Sequence, residues 1–294
     1  MSNFAITGVA GYIAPRHLKA IKETGNTLVA AVDPHDSVGV LDSYFPDAAF
    51  FTEFERFDRH LEKLRRGPGS ERVQYVSICS PNHLHDAHIR QALRVGAHAI
   101  CEKPLVLNPW NLDALRDLEA EYERRVYVIL QLRLHPAAIA LKQTVEQAGG
   151  TRRHTVDLRY IAPRGRWYGY SWKGDKEKSG GIASNIGIHF FDLLLWIFGD
   201  VRAVDVEIRE RQKMVGRLQL EHADVSWFLS TNPADMPGEA QGRGYRALTV
   251  DGAAYDLAGG FEHLHTDVYH DILSGGGFGI DEAYASIALV RELR

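Results

Sequence analysis

Phe4-Ala5-Ile6-Thr7-Gly8-Val9-Ala10-Gly11-Tyr12-Ile13-Ala14 decides the fold. A run of strand character meets two glycines three apart, and helical spacing follows at His17, Leu18 and Ile21. A glycine turn between strand and helix lets backbone approach a pyrophosphate, while the helix start offers free N–H groups and a favourable dipole. The spacing reads G-x-x-G-x-x-A rather than G-x-G-x-x-G, so the turn alone is a weak signal. Asp33 strengthens it. It follows the apolar run Leu28–Val32, 22 residues after Gly11. A carboxylate there accepts hydrogen bonds from both ribose hydroxyls and repels a 2′-phosphate. Neither Pro34 nor His35 supplies a guanidinium for such a phosphate. NAD is therefore expected over NADP, with Gly8, Ala10, Gly11, Tyr12, Ile13 and Asp33 as cofactor contacts.

Outward from this turn, apolar runs recur at Tyr75–Cys79, Ala99–Cys101 and Val126–Leu130, with helical patterns such as Asp86–Val95 and Asn111–Arg124 between them. Nearly continuous apolar strands alternating with helices predict a doubly wound parallel sheet, covered on both faces. Beyond a helix from about His135 to Gln147 the period changes to two. Val156, Leu158 and Tyr160 alternate with polar neighbours, as do Val204, Val206 and Ile208, and Ala223, Val225, Trp227 and Leu229. That is the signature of an antiparallel sheet with unlike faces. The expected architecture is α/β: a dinucleotide-binding domain over 1–132, then an α+β domain over 133–294 with a large, mainly antiparallel open sheet for substrate binding and oligomerisation. A last helix is expected over Asp281–Leu293.

Composition bounds the function. The 294 residues carry a net charge of −4 and are 45% hydrophobic and 24% charged, which gives no electrostatic case for nucleic acid. The stretch Ile186–Phe198 carries His189 and Asp192 and is too short to span a bilayer, and the first residues run into a strand without a basic leader. Cys79 and Cys101 read as small buried thiols rather than a disulfide. A cytoplasmic protein without membrane attachment is expected, and no metal ligand set is assigned.

The chemistry-bearing residues are few. Ser80 and Asn82 follow a strand at the carboxyl edge of the sheet, where ligands bind in such folds, and suit a nicotinamide ribose. Glu102-Lys103-Pro104 places a lysine just past the next strand. Oxidising a secondary alcohol requires hydride transfer and removal of the hydroxyl proton by a base that is partly neutral near pH 7. Burial and nearby positive charge would lower the Lys103 amine towards that range, and His189 titrates there unaided. Asn185 lies four residues before His189, on the same helix face. Asp192 is a candidate to orient the imidazole. Arg164, Arg166, Lys173 and Lys178 cluster in one irregular segment, and Arg133 follows Gln131. Guanidinium groups suit carboxylates and diphosphates. Trp167, Tyr168, Tyr170 and Trp172 either stack on a base or anchor the loop.

Taken together, the Gly8–Ala14 turn, Ser80-Pro81-Asn82 with His85, Glu102-Lys103-Pro104, Gly180-Gly181, Gly187-Ile188-His189 and Asp192 resemble the Gfo/Idh/MocA family of NAD(P)-dependent oxidoreductases. A narrower likeness runs through Ile6–His17, Arg164–Tyr168, Ser171–Asp175 and Ser179–Gly181. It is to bacterial dehydrogenases that oxidise C3 of UDP-N-acetylglucosaminuronic acid on the route to O-antigen sugars of lipopolysaccharide. The resemblance implies NAD, a UDP-linked substrate, a 2-oxo acid that reoxidises the cofactor, and a homotetramer. It implies Lys103 and His189 as catalytic residues and adds His85, Glu102 and Lys103 to the cofactor contacts. Substrate contacts fall on Lys103, Arg133, Arg164, Arg166, Tyr168, Asn185 and His189. In many relatives an aspartate stands where this chain has Asn185, which leaves the division of labour between Lys103 and His189 open. Two other readings are carried: a dehydrogenase of a free aldose or polyol, and a non-catalytic NAD-binding regulator on the same fold.

Overall fold

Strand β1 (Asn3–Thr7), buried from Phe4 onward, forms the middle of a parallel sheet with β2 (Thr27–Val32) on one side and β4 (Tyr75–Ile78) on the other. The computed structural model describes residues 1–149, 152–238, 244–257, 259 and 262–294. Helices α1 (Ala14–Glu23), α2 (Val40–Tyr44), α3 (Phe54–Arg66), α4 (His85–Arg94) and α5 (Trp110–Tyr122) connect the strands, with β3 (Ala49–Phe51), β5 (His98–Cys101) and β6 (Val126–Val128) completing the sheet. The order β3-β2-β1-β4-β5-β6 is that of a dinucleotide-binding fold. The order in which strands are added reverses between β1 and β4, which remain parallel, so the loops after these two strands open the crevice in which ligands of such sheets bind.

Two compact units are present, Met1–Ile129 with His265–Ala283, and Leu130–Leu264 with Tyr284–Arg294. The segment His265–Ala283 thus returns to the first unit, a crossing that the simple division at 132/133 does not contain. Its apolar residues Val268, Tyr269 and Ile272 are buried, and the Phe278 carbonyl accepts the Val128 N–H.

The second unit is built on α6 (Pro136–Gln147), β7 (His154–Ile161), the short turns α7 (Trp167–Tyr170) and α8 (Lys176–Ser179), and α9 (Ile188–Phe198). Strands β8 (Val201–Arg209), β9 (Lys213–Leu220), β10 (Ala223–Ser230), β11 (Tyr245–Val250) and β12 (Ala253–Tyr255) follow, then α10 (Leu264–Leu273) and α11 (Ile280–Glu292). The sheet order is β12-β11-β7-β10-β9-β8. All pairings are antiparallel except β7 with β10. Period-two patterning explains which face is covered: Val156, Leu158, Val225, Trp227 and Leu229 are buried, while Thr155, Arg159, Asp224 and Ser226 are exposed. Edge strand β8 is the exception, with Val204 and Val206 half-buried and Ile208 exposed.

Helix α9 is apolar on nearly every side, which marks a core helix. Phe191 meets Trp227 edge-on at 5.4 Å, and Phe190 packs on Tyr160 at 4.9 Å. Gly187 permits this approach, because a Cβ there would sit 2.6 Å from the Leu229 side chain. The run Lys176–Phe198 is longer than the apolar stretch read from sequence. At 23 residues with mean hydropathy 1.5 it meets the length and composition of a membrane span, but 78% of that window is buried inside the protein.

Candidate active site

The cofactor end of the first unit starts at Gly8, whose φ of +76° suits glycine alone. A Cβ at Gly8 would stand 2.6 Å from the backbone of Cys79 and Ser80, so the loops after β1 and β4 touch. The turn then enters α1 with Ile13 as N-cap and no side chain closing the cap. The free N–H groups expected there are not found: the Ala14 N–H goes to the Gly11 carbonyl at 3.1 Å, the Arg16 N–H to the Ile13 carbonyl at 3.0 Å, and Pro15 has none, so what this helix start offers an anion is its dipole. Tyr12 stands out from the loop at 81% exposure. Asp33, immediately after β2, accepts the Ala10 N–H at 3.0 Å through Oδ2 and the His35 N–H at 2.9 Å through Oδ1. Each oxygen retains a second lone pair, so the carboxylate fixes the glycine loop while keeping acceptors for ribose hydroxyls. These features fit a dinucleotide. Gly8→Ala is expected to cost about 1–3 kcal/mol from the left-handed φ alone, with backbone clash added. Urea unfolding measures the stability loss, and NAD titration the accompanying loss of affinity.

Ser80 and Asn82 lie buried at the end of β4. Ser80 Oγ shares a hydrogen bond of 2.9 Å with His88 Nδ1. Burial lowers His88 to about 4, with His85 and His83 adding to the effect, so this ring is neutral at pH 7. His85 departs from its expected place among the cofactor contacts. Its Nδ1 lies 2.8 Å from the Pro104 carbonyl and its Nε2 2.9 Å from the Ser80 carbonyl. Both ring nitrogens are taken by backbone, so His85 staples the lysine loop to the β4 loop instead of facing a ligand. Burial lowers its pKa, against the raising effect of the two carbonyl contacts.

Lys103 follows β5 and is half-buried, flanked by buried Glu102 and by Pro104 across a cis peptide bond. Glu102, expected at the cofactor, points inward. Its Oε1 accepts from His17 Nε2 at 3.0 Å and from His265 Nε2 at 3.2 Å, and its Oε2 accepts the Lys103 N–H at 3.3 Å. Beyond His17, Nδ1 meets the Tyr269 hydroxyl at 2.7 Å, which meets Ser77 Oγ at 2.6 Å. Burial pushes the Glu102 carboxyl up, but the two histidine hydrogen bonds and their charge outweigh it and hold it well below its usual range. His17 and His265 carry no sequence signal of their own, since helical spacing made His17 an ordinary packing residue.

In the second unit, a π-helical turn at Ala183–Gly187 leads into α9. From 182 to 195 every residue is buried except Asn185 and His189. The expected shared face is therefore the one open stripe of an otherwise enclosed helix. Asn185 Nδ2 donates to the Tyr168 hydroxyl, which draws together two residues expected to contact substrate. Asp192 is placed differently from expectation. Its Oδ1 and Oδ2 take a bidentate hold from Arg133, at 2.7 and 2.9 Å, with both side chains buried. Arg133 is accordingly an internal ion-pair partner rather than an outward anion ligand, because its fork offsets the cost of a buried carboxylate.

A cavity of about 1050 Å³ opens in the second unit. Arg164, Arg166 and Lys173 line it as the sequence cluster suggests, joined by Arg209, Arg211 and Arg294 from distant segments. Lys178 does not line it and pairs with Asp175 at 3.9 Å. Burial and the Arg164 charge lower Lys173. Burial and Arg291 bring Arg294 down to about 10. Cations gathered in a concave site repel one another, and an anion relieves that repulsion. Arg294 also holds Ser184 Oγ at 2.9 Å, tying the cavity wall to the turn before α9. Trp167 and Tyr170 are exposed, while Tyr168 is buried and anchors the loop.

The family model described as an oxidoreductase family with NAD-binding Rossmann fold matches residues 2–130, and that of its C-terminal alpha/beta domain matches 152–235. Two crystal structures of the WlbA (WbpB) dehydrogenase from Thermus thermophilus superpose over 100% of this chain. The complex with NAD and alpha-ketoglutarate is 53% identical, with a TM-score of 0.95 over 96% of that chain. The complex with NAD and UDP-GlcNAcA is 52% identical, with a TM-score of 0.94 over 94% of that chain. Among curated proteins, an uncharacterised oxidoreductase of Synechocystis is 27% identical over 62% of this chain and 52% of its own length. The chain thus spans about half the length of the curated relatives it matches first.

Proposed function

The chain belongs to the Gfo/Idh/MocA oxidoreductase family, and from that premise we propose that it oxidises the C3 hydroxyl of UDP-N-acetylglucosaminuronate to the 3-keto sugar. The observation that carries this reading is the whole-chain similarity to the Thermus dehydrogenase complex with NAD and UDP-GlcNAcA. The basic cavity supplies a physical reason, since a nucleoside diphosphate and a uronate carboxylate together need the cations found there. NAD, when bound, supplies the hydride acceptor. Lys103 and His189 are the catalytic pair, one taking the hydroxyl proton and the other orienting the alcohol, and Asn185 adds a hydrogen bond to substrate. Arg164 and Arg166 hold the anionic groups. A 2-oxo acid serves as oxidant, as the alpha-ketoglutarate in the Thermus structure suggests. A homotetramer formed through the outer face of the second sheet, working in the cytoplasm on an O-antigen precursor, completes the proposal.

NADH formation with UDP-N-acetylglucosaminuronate, UDP-N-acetylglucosamine and free N-acetylglucosaminuronate tests it. The first substrate is expected to exceed the free sugar by at least about 100-fold in kcat/KM, the scale on which a site built for charged groups rejects a ligand lacking them. Equal rates with and without UDP would select the free-sugar dehydrogenase instead. Arg164→Ala with Arg166→Ala is expected to raise KM about tenfold or more while kcat changes less, because these contacts act on the bound ground state as well as the transition state.

A further inference from the structure

The buried cluster beneath the lysine loop is joined by a continuous run of hydrogen bonds. Ser77 Oγ meets the Tyr269 hydroxyl, that hydroxyl meets His17 Nδ1, and His17 Nε2 donates to Glu102 Oε1. His265 Nε2 supplies the second proton to the same oxygen. His265 Nδ1 is buried and finds no partner among the described residues. A bare ring nitrogen tolerates that place better than a buried, unpaired N–H of an imidazolium, and burial lowers His265 accordingly. The two imidazoles thus solvate an ionised carboxylate that is held well below its usual range in spite of its burial. Other titratable groups that face it are the thiols of Cys79 and Cys101, both raised by burial and by Glu102 itself, and the ring of His85, lowered by burial. Arg16 acts on His265 from α1. The charges of Glu102 and Lys103 both act on His85, with opposite sign, so the two occupy one electrostatic neighbourhood.

We propose that Glu102 is a positioning residue for Lys103: His17 and His265 hold it as a fixed, buried negative charge that orients the lysine loop and raises the proton affinity of the Lys103 amine. The inference rests on the reading of Lys103 as the proton-transfer group and adds how that group is set. Burial alone drives an amine towards neutrality. A base that must also return its proton, when the 2-oxo acid is reduced on the same enzyme, works best when neither charge state dominates. A carboxylate held well below its usual range by two hydrogen-bonded imidazoles supplies that balance without titrating itself near pH 7.

Reductive methylation of the nine lysines with ¹³C-formaldehyde, with the Lys103 resonance identified by its absence in Lys103→Met, reads the titration of Lys103 without turnover. Glu102→Gln keeps an acceptor for both imidazoles and removes the charge. Lys103 is expected to titrate about one pH unit lower in this variant. The acid limb of kcat/KM is expected to move to lower pH with it, while the NAD affinity stays within about threefold. Tyr269→Phe removes one of the two hydrogen bonds that fix the His17 ring against Glu102 and is expected to give a smaller displacement in the same direction; it decides the matter if Glu102→Gln does not fold. A Lys103 titration unmoved in the folded variants overturns the inference, whatever the turnover. Wild-type turnover by Lys103→Met overturns the proton-transfer reading instead, and the titration still judges the coupling to Glu102.

Discussion

Lys103→Met is expected to bind NAD as the parent does and to lose about 10²–10⁴-fold in kcat, the range that a positioned general base contributes. Methionine keeps an unbranched side chain of similar length, so the loop staple of His85 between the Ser80 and Pro104 carbonyls stays in place. Only the amine is removed. His189→Asn is expected to fall in the same range if the imidazole takes the proton, and by about tenfold or less if it only orients the alcohol. The pair of variants therefore divides the roles that the Asn185 substitution leaves open. Stopped-flow absorbance at the reduced-nicotinamide band, with enzyme in excess of UDP-sugar, separates chemistry from product release. Absence of any single-turnover signal in the parent protein, with both ligands bound, would establish the NAD-binding regulator.

The same variants show why some of this site was legible in the sequence and some was not. Asp33, the Gly8 turn and Lys103 each follow a strand whose apolar run fixes its place, so local pattern locates them. His189 and Asn185 are legible for a similar reason, being polar groups at helical spacing inside an apolar run. Glu102 lies beside Lys103 in the chain, yet its orientation depends on His17 and His265, and His265 is reached only after the chain has built the second sheet and returned. No period links those three positions. Arg209, Arg211 and Arg294 join the basic cavity for the same kind of reason, because a strand turn and the last helix deliver them. Arg133 reads as ligand-binding by residue type, and His85 only through the resemblance. Their partners, Asp192 in one case and two backbone carbonyls in the other, are set by packing that spacing does not report.

Arg133→Met is expected to cost about 3–5 kcal/mol, because it leaves the Asp192 carboxylate buried without its counter-charge. Burial already holds the Asp192 pKa above its usual 3.8, against the lowering by Arg133 and the Ser286 hydrogen bond. Removing the guanidinium raises it further. A carboxyl whose folded-state pKa exceeds its unfolded value binds more protons folded than unfolded, so stability increases as pH falls through the interval between the two. Urea midpoints should therefore show a gap between Arg133→Met and the parent that is widest near pH 7 and narrows towards pH 5. Pairing Arg133→Met with Asp192→Leu should recover most of the loss at pH 7, since an apolar pair of similar volume carries no desolvation penalty. A gap independent of pH would mean that the cost comes from lost packing against Trp196, whose ring lies 6.0 Å from the Arg133 guanidinium, rather than from the stranded charge.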